Sequence, residues 1–557
     1  MWVRFGVPIL ALALLTTGCG SGSRGSAHDQ GTGGWGDGGV RFPVEGQASQ
    51  VPSGTSAGLL PTPRATGSLF NELAPLTKII SSRGPGYKLP SLCRSDGTID
   101  TGPLIHPAWA PPCVAPFSGS NGGATARGVT GDVIHLAYYI TQDPTIEAAD
   151  KGVGGCGDPQ CTMDYVNAYL DWFTSYYQFY GRRVDVQFVK GSGPENDTTL
   201  ATKDADAIAG LNPPVFAALN GPGEAGAAYA RELAKKGIMC FCTYSLPQDF
   251  YAQNAPYVWS WWMSSTQAYI HRAAYIGRRL AGRNAIWAGD PQMKTEKRTF
   301  ALVWFDDNQG TYKSGVDFFN RELARYGVHL TDSIRYVNIQ GCQTGAATIV
   351  NKMIQDKVTS VMLATDPLCP MVLTRAAAVA QAKWEWLVSG SILTDTNGFG
   401  RSYDQSQWQR AFGLSMETPL VTLGDWYSIY AQERPGSVPQ VDAILVLQQM
   451  MMFATGVHMA GPKLTPWTFR AGMARMRPLA GSLTLPHISF GSETVNGYSF
   501  WDTTATDDMT EVWWDKNASA YRYVAGGRRY LWGAWPSTVP NVFDLAGAVL
   551  EYVHPPR

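Results

Sequence analysis

Hydrophobic positions between residues 131 and 393 follow two alternating periods. Val133–Ile140 is a short, largely apolar run, and residues 184–189 alternate apolar with polar, as strands do. Val166, Leu170 and Phe173 recur at the spacing of one helix face. The pattern predicts strands at 133–140, 184–189, 214–219, 238–242, 299–305, 333–337, 359–364 and 386–393, and helices at 163–180, 224–236, 265–280, 314–326, 347–356 and 370–382.

Strands that alternate with helices form parallel sheets covered by helices on both faces. A charged stretch before residue 299 divides the series, and the alternation then starts again. The sequence therefore predicts an α/β protein with two Rossmann-like lobes. A further apolar helix is predicted at 441–456, and strands around glycine and asparagine turns at 488–524.

The first residues have the features of an export signal. Arg4 precedes an apolar run from Val7 to Leu15, which is too short to span a bilayer, and small residues lead to Cys19. The segment resembles a bacterial lipoprotein signal, which implies a signal peptide at 1–18 and lipidation of Cys19. An ordinary secretory signal is the alternative, and both place the mature chain outside the cytoplasm, the first anchored to the bacterial cell membrane.

Beyond Cys19, Gly, Ser, Pro and Thr dominate as far as residue 67, a composition that predicts a flexible tether over 19–67. Residues 68–128 are expected to form an irregular appendage that contains a disulfide. Residues 525–557 are expected to form a C-terminal extension.

The nine cysteines leave an even number, eight, once Cys19 is set aside. An even count suits disulfides in an oxidising compartment. We expect three pairs, namely Cys93 with Cys113, Cys156 with Cys161, and Cys342 with Cys369. Cys240 and Cys242 occupy alternate positions of a predicted strand, where geometry opposes bonding, and are expected to stay as buried thiols.

Charge and motifs exclude several classes of function. Lys and Arg total 44 against 45 Asp and Glu, so no basic excess favours nucleic acid. No H-E-x-x-H motif or paired C-x-x-C motif occurs, so no metal is expected. The G-x-G-x-x-G match at 221–226 has no acidic residue after the next strand, and the G-x-S-x-G match at 54–58 lies in the tether. We expect no cofactor and no enzymatic activity.

The order of several segments resembles the type I periplasmic binding proteins, in particular the branched-chain amino acid (Leu/Ile/Val) binding branch. The resemblance covers about residues 129–524. Its carriers are the opening strand Val133–Ile140, the helix ended by Gly-Arg-Arg-Val at 181–184, and three further segments: Ala-Leu-Asn-Gly-Pro at 218–222, Tyr-Val-Trp-Ser-Trp-Trp at 257–262 and Phe-Asp-Asp-Asn-Gln-Gly at 305–310. The resemblance implies two lobes joined by a three-crossover hinge, with lobe 1 at 129–262 plus 391–490 and lobe 2 at 263–390 plus 491–524.

Open parallel sheets bind ligands beyond the carboxyl ends of their strands. The expected ligand-binding residues are therefore Thr141, Gln142, Asn220, Gly221, Gly223, Thr243, Tyr244, Ser245, Asp306, Asp307, Thr365 and Asp395, with Trp262 at the first crossover.

Different parts of this set are expected to meet different parts of a ligand. The glycines at 221 and 223 precede a helix and offer amides to a ligand carboxylate, or else only pack a turn. The aspartates are candidates for pairing with a ligand cation, and Trp262 and Tyr244 for an apolar wall.

The sequence thus predicts a lipid-anchored solute-binding protein. It would capture a small molecule, amino acid-like or an amide or aromatic compound, for uptake through the membrane permease of an ABC transporter or for sensing. The alternative is an envelope lipoprotein that uses the same two lobes to bind a protein partner. A filled cleft would favour the partner, and a cleft with convergent polar groups a small ligand.

Overall fold

The computed structural model of the chain describes residues 92–94, 96–101, 110–417, 424–479, 486–517, 520–523 and 529–537. The predictions for Cys19, the signal peptide and the tether lie outside these residues. Strands β1 (Leu92–Cys93) and β2 (Ile99–Asp100) form an antiparallel pair in the appendage. The appendage also contacts the body of the protein, because Arg182 Nη2 donates to the Asn121 carbonyl at 2.7 Å.

The first sheet has four parallel strands in the order β4-β3-β5-β6. All eight residues of its central strand β3 are buried, as expected for a sheet covered on both faces. Its strands are β3 (Val133–Ile140), β4 (Arg183–Lys190), β5 (Ala217–Leu219) and β6 (Met239–Phe241), with helices α1 (Pro144–Gly152), α2 (Pro159–Tyr176), α3 (Thr198–Ala209), α4 (Gly226–Lys235) and α5 (Gln248–Gln253) between or after them.

Side-chain caps explain where several of these helices begin. Asp158 and Asp197 precede α2 and α3 and accept hydrogen bonds from the first free amides of each helix, and Pro159 sits at the first position of α2. Helices α1, α3 and α5 were not predicted from the hydrophobic pattern. Of these, α1 and α5 have only nine and six residues, too few to show a helical period.

The chain then enters a second and larger sheet. The described elements up to residue 415 are α6 (Ser265–Tyr275), β7 (Phe300–Asp306), α7 (Lys313–Ala324), β8 (Leu330–Val337), α8 (Asn338–Gln355), β9 (Ser360–Ala364), α9 (Cys369–Val379), β10 (Glu385–Val388), α10 (Asn397–Ser402), α11 (Gln405–Trp408) and β11 (Ala411–Ser415). The later elements are α12 (Gly424–Glu433), α13 (Ala443–Ala460), α14 (Pro466–Met473), β12 (Gly491–Val495), β13 (Tyr498–Asp502), β14 (Asp508–Asp515), β15 (Ala520–Tyr523) and β16 (Tyr530–Leu531).

The order of the second sheet is β15-β14-β11-β10-β9-β7-β8, with β16 beside β14. The five strands from β11 to β8 are parallel, and β14 joins β11 in antiparallel orientation. Helices α12 and α13 return to the first lobe, where both pack against α2. The two α/β lobes that the sequence predicted are therefore confirmed.

One predicted lobe boundary is wrong. Residues 391–490 were expected in lobe 1, but β11 pairs with β10 and β14 inside the second sheet. The sequence pattern did not predict β11 because its middle residue, Gly413, is a glycine. The glycine is required by the structure, since a Cβ at Gly413, whose φ is 151°, would lie 2.1 Å from the Val388 carbonyl oxygen. The strands approach so closely here that only glycine fits.

The predicted C-terminal extension also needs correction in its described part. Strand β16 pairs with β14, Trp535 is fully buried, and Arg278 Nη1 donates to the Trp535 carbonyl at 2.8 Å. Residues 529–537 therefore belong to the second lobe.

Helix α13 is the one helix among the described residues that is long and apolar enough to cross a membrane. Its apolar segment is 89% buried within the protein, packed against α2 and α14. It is a core helix of the first lobe.

Three segments carry the chain between the lobes. The first follows β6 at 257–264, the second follows β11, and the third is 503–507 between β13 and β14. Ser260 of the first segment donates its amide to the Thr503 carbonyl at 3.2 Å and accepts from the Ala505 amide at 3.0 Å. Trp262 Nε1 donates to Glu417 Oε1 of the second segment at 2.8 Å. These bonds join the crossovers into one hinge.

The three expected disulfides are confirmed, with Cys93 bonded to Cys113, Cys156 to Cys161, and Cys342 to Cys369. The expectation for Cys240 and Cys242 is wrong, because they also form a disulfide. Strand β6 ends at Phe241, and the two Cα atoms lie only 5.2 Å apart, closer than the roughly 6.6 Å of a continuous strand. The end of the strand brings the sulfurs within bonding range.

Candidate functional site

A cavity of about 840 Å³ lies between the lobes, beyond the carboxyl ends of both sheets. Loops after β3, β5 and β6 line it from the first lobe, and loops after β7, β9 and β10 from the second. This is where ligands bind in open parallel sheets. Its wall is largely apolar and aromatic, with Tyr138, Tyr244, Tyr269, Phe305, Tyr312, Ile339, Ile392, Leu393, Phe399, Ile444 and Leu445 among its members.

Seven of the residues predicted from the sequence line this cavity: Thr141, Asn220, Gly221, Gly223, Tyr244, Ser245 and Thr365. Two of them, Asn220 and Ser245, have left-handed backbones, with φ of 57° and 45°. Leu393, on the opposite wall, has φ of 58°. Strained backbone of this kind persists only where the surrounding structure fixes it, and it is frequent at ligand sites.

The other six predicted residues do not line the cavity. Asp306 pairs with Arg335 at 2.8 Å, and Asp307 accepts hydrogen bonds from the Gln309 and Thr311 amides, so both aspartates are used in shaping the loop after β7. Gln142 donates to the adjacent Thr141 carbonyl. The three residues lie at or just after strand ends, as expected, but the two aspartates are buried within the protein.

Thr243, Trp262 and Asp395 lie behind the wall. The Thr243 hydroxyl lies 3.3 Å from the Tyr251 hydroxyl. The Trp262 ring packs against Tyr244 with ring centres 4.9 Å apart, so it supports a residue that does line the cavity. Asp395 is buried, and burial raises its pKa to about 6.

Of the two alternatives for the glycine-rich turn after β5, two contacts support the packing turn. Glu195 Oε2 accepts the Gly223 amide at 2.6 Å, so a carboxylate of the protein already holds that amide. A Cβ on Gly221 would lie 2.9 Å from the Tyr229 ring. Gly221 is therefore required for packing, although both glycines line the cavity.

Several polar atoms at the cavity have no hydrogen-bond partner within the described protein. The cavity-lining residues that carry them are Ser245, Ser265, Thr365, Asp442 and Gln448. Thr365 and Gln448 are 2% and 4% exposed, so these atoms are also shielded from bulk water. Unpaired buried polar groups are costly, and a ligand that hydrogen-bonds to them recovers that cost.

Arg272 on α6 is a buried cation in the cavity wall. Its Nε donates to the Ser389 carbonyl at 2.7 Å and its Nη2 to Ser391 Oγ at 2.9 Å, while the guanidinium lies 5.2 Å from the Tyr269 ring centre. Burial lowers its pKa to about 10, so it stays charged at neutral pH. This residue was not predicted from the sequence; the signal was an arginine within the apolar helix pattern of 265–280.

Burial raises the pKa of several acidic side chains around the cavity to near neutral pH. Burial raises the pKa of Glu195 to about 7, of Glu224 to about 8, of Asp442 to about 7 and of Glu417 to about 8. Neighbouring carboxylates add to the shifts, Asp366 for Glu224 and Asp395 for Glu417. Near pH 7 these groups can accept or donate hydrogen bonds, and a cationic ligand group would favour their charged forms.

Hydrogen bonds from one lobe to the other cross the cleft directly. Glu224 Oε1, from the first lobe, accepts the Ile339 amide of α8 at 2.6 Å. Arg231 Nη1 on α4 donates to Gln309 Oε1 at 2.7 Å. The lobes therefore contact each other beside the cavity, as in a closed arrangement.

Neither a protein-family model nor a curated protein matches this chain. Solved structures do match it. An ABC transporter substrate-binding protein from Aeropyrum pernix gives a TM-score of 0.52 at 10% identity, over 72% of this chain and 96% of that one. A solute-binding protein of an ABC transporter from R. palustris, in complex with 4-hydroxybenzoate, gives 0.51 at 10% identity, over 72% and 97%.

A fatty acid ABC transporter substrate-binding protein from Thermomonospora curvata gives a TM-score of 0.50 at 12% identity, over 78% of this chain and 99% of that one. At such low identity the likeness concerns the fold. Both sheets, the crossovers and the position of the cavity agree with it. The chain has the fold of the type I periplasmic binding proteins, two Rossmann-like lobes joined by a three-crossover hinge.

Proposed function

We propose that this chain is an extracytoplasmic, lipid-anchored solute-binding protein that captures a small molecule between its lobes for ABC-type uptake or for sensing. The observation that carries the proposal is the cavity of about 840 Å³ at the carboxyl ends of both sheets. Cavities of this size suit drug-sized ligands held by an apolar wall and a few polar groups. The solved structures of similar fold support the same role.

The wall suggests the chemistry of the ligand. Tyr138, Tyr244 and Tyr269 favour an aromatic or aliphatic body. The unpaired oxygens of Asp442 and Gln448 call for hydrogen-bond donors on the ligand, and Arg272 offers a site for a carboxylate or a carbonyl. An amino acid-like, amide or aromatic compound meets these requirements. A second class of function, the binding of a protein partner, has less support because the cleft is not filled.

A thermal-shift screen tests the proposal. Leucine, 4-hydroxybenzoate, decanoate and an aromatic amide are added separately, and a ligand that binds the folded state raises the melting temperature by mass action. The variant Ile392→Trp places a large side chain in the cavity wall, and Val379→Trp, at a residue that is 86% exposed, is its control.

We expect one class of compound to stabilise the wild type and Val379→Trp, and to have no effect on Ile392→Trp. If no compound shifts melting, or if Ile392→Trp responds like the wild type, binding in the cleft is refuted. The anchor is tested separately: Cys19→Ala should release the protein from the cell membrane into the medium.

A further inference from the structure

Three carboxylates meet at the hinge, away from the cleft cavity. Glu493 lies on β12, Asp502 ends β13, and Asp507 lies in the third crossover segment. Each contributes one oxygen to a group whose members all lie within 4.8 Å of one another. None of the three residues lines the cavity, so the cluster is distinct from the proposed ligand site.

Burial makes this arrangement costly without a partner. Asp502 is fully buried and Asp507 is 3% exposed. No ion pair to any of the three occurs among the residues that the structure describes. Carboxylates removed from water need a cation or a set of hydrogen bonds to compensate.

The hydrogen bonds present do not satisfy the cluster. Asp502 is well supplied, since Gln267 Nε2 donates to its Oδ2 at 2.8 Å and the Thr504 amide to its Oδ1 at 2.7 Å. Asp507 Oδ1 and Glu493 Oε2, in contrast, are buried and accept no hydrogen bond.

One donor also stands between two acceptors. The Ser489 hydroxyl lies 2.5 Å from Glu493 Oε1 and 2.8 Å from Asp507 Oδ2. It has a single proton and can serve only one of them at a time. Asp507 is therefore a buried carboxylate of the cluster with one oxygen, Oδ1, that no hydrogen-bond donor among the described residues satisfies.

We propose that Glu493, Asp502 and Asp507 bind a calcium ion. Calcium prefers oxygen ligands at about 2.3 to 2.6 Å, so two oxygens bound to one ion are at most about 5 Å apart. The observed limit of 4.8 Å meets that requirement, and all three donors are carboxylates. The Ser489 hydroxyl oxygen lies beside Glu493 and Asp507 and is a further candidate among the six to eight ligands that calcium takes.

The position of the site gives the ion a structural role. Asp507 belongs to the third crossover, which is hydrogen-bonded to Ser260 of the first, whereas Glu493 and Asp502 belong to the β12–β13 hairpin. The ion ties the hairpin to the hinge. No sequence motif pointed to this site, because Glu493, Asp502 and Asp507 do not follow a known calcium-loop spacing.

Calcium binding is tested on the full chain without a cleft ligand. After treatment with EDTA, thermal melting is followed while calcium is added, and terbium luminescence excited through tryptophan reports occupation directly. At a calcium concentration about 100 times Kd we expect the melting temperature to rise by about 3 °C. Calcium should also displace terbium.

The double variant Glu493→Gln/Asp507→Asn removes two charges and should lose both responses, whereas the control Asp317→Asn, at an exposed acid, should keep them. If the double variant does not fold, Asp507→Asn alone serves, with a loss of calcium affinity of at least tenfold expected. A wild type that shows neither a calcium shift nor terbium emission overturns the proposal and leaves three carboxyls that share protons. An unchanged response in the folded variants overturns it as well.

Discussion

The Glu224 carboxylate accepts the backbone amide of Ile339 at 2.6 Å, across the cleft between the two lobes. The acceptor stands after the third strand of the first lobe, and the donor lies in the first turn of α8 in the second lobe. A helix N-terminus favours negative charge, whereas burial and Asp366 raise the pKa of Glu224 to about 8. The charge of this contact therefore changes close to physiological pH.

The raised pKa values predict a loss of stability between about pH 6.5 and pH 8. A carboxyl whose pKa is higher in the folded state keeps its proton there after the unfolded chain has lost it, so the free energy of unfolding falls as pH rises through the folded pKa. Five groups titrate in this interval: Glu195, Glu224, Glu417, Asp442 and Glu511. Burial lowers the pKa of His271 and His458 to about 4, and these residues reduce stability only below about pH 6.5.

Urea unfolding at pH 6.5 and pH 8.5 measures the effect. We expect the wild type to be less stable at the higher pH, and Glu224→Gln to show a smaller loss, because the amide oxygen still accepts the Ile339 hydrogen bond but does not titrate. The control Asp317→Asn should behave like the wild type. Equal stability at the two pH values would contradict the raised pKa values.

Replacing Arg272 with methionine should lower the free energy of unfolding by about 2 kcal/mol or more, because the Ser389 carbonyl then loses a charge-assisted hydrogen bond in a buried site. Arg375→Met, at an exposed arginine on α9, is the comparison and should change the free energy of unfolding by less than about 0.5 kcal/mol. Chemical denaturation measures both. A loss below about 0.5 kcal/mol in Arg272→Met would show that the guanidinium is not held as described.

Comparing Thr365 with Thr374 tests whether the unpaired polar atoms of the cavity are kept for ligand binding. The Thr365 hydroxyl has no partner, whereas the Thr374 hydroxyl donates to the Pro370 carbonyl at 2.7 Å. Thr365→Val should leave stability unchanged or raise it by up to about 1 kcal/mol, and Thr374→Val should lower it by about 1 kcal/mol. Once a ligand is known, only Thr365→Val should weaken its binding, by about fivefold, as measured by calorimetry.

Gly413→Ala tests the close approach of β11 to β10. The new Cβ would lie 2.1 Å from the Val388 carbonyl oxygen, and we expect a loss of about 3 kcal/mol or more. Gly436 also has positive φ, but a Cβ at that residue would meet no atom within 4 Å, so Gly436→Ala should cost only about 1 kcal/mol. Similar losses in the two variants would argue against the strand pairing.

Strand and helix periods were enough to predict the two lobes, and the carboxyl ends of strands were enough to predict the loops that meet at the cleft. Side-chain direction was not predictable in the same way. Asp306 ends β7 and Asp307 begins the loop after it, yet one pairs with Arg335 and the other accepts the amides of its own turn. Which way a loop carboxylate points depends on local partners that periodicity does not reveal.

The site also contains residues that the sequence did not predict. They lie on elements whose positions relative to one another could not be read from the sequence. Arg272 lies in a predicted helix, but its contact with Ser389 joins positions 117 residues apart. Glu417, in the second crossover, accepts a hydrogen bond from Trp262 in the first, although the two residues are 155 positions apart in the sequence. Strand β11 was missed because its glycine weakens the strand signal, and the lobe boundary was wrong for the same reason.

The disulfides also determine how many cysteine thiols remain free. Four bonds use eight of the nine cysteines, and the remaining one is Cys19. A maleimide reagent applied to the denatured, unreduced protein should therefore label one site in a chain that retains an unmodified Cys19 and none in a chain acylated there. In a chain whose mass shows that Cys19 is retained, the number of accessible thiols thus becomes a readout of acylation that requires neither a membrane nor a ligand.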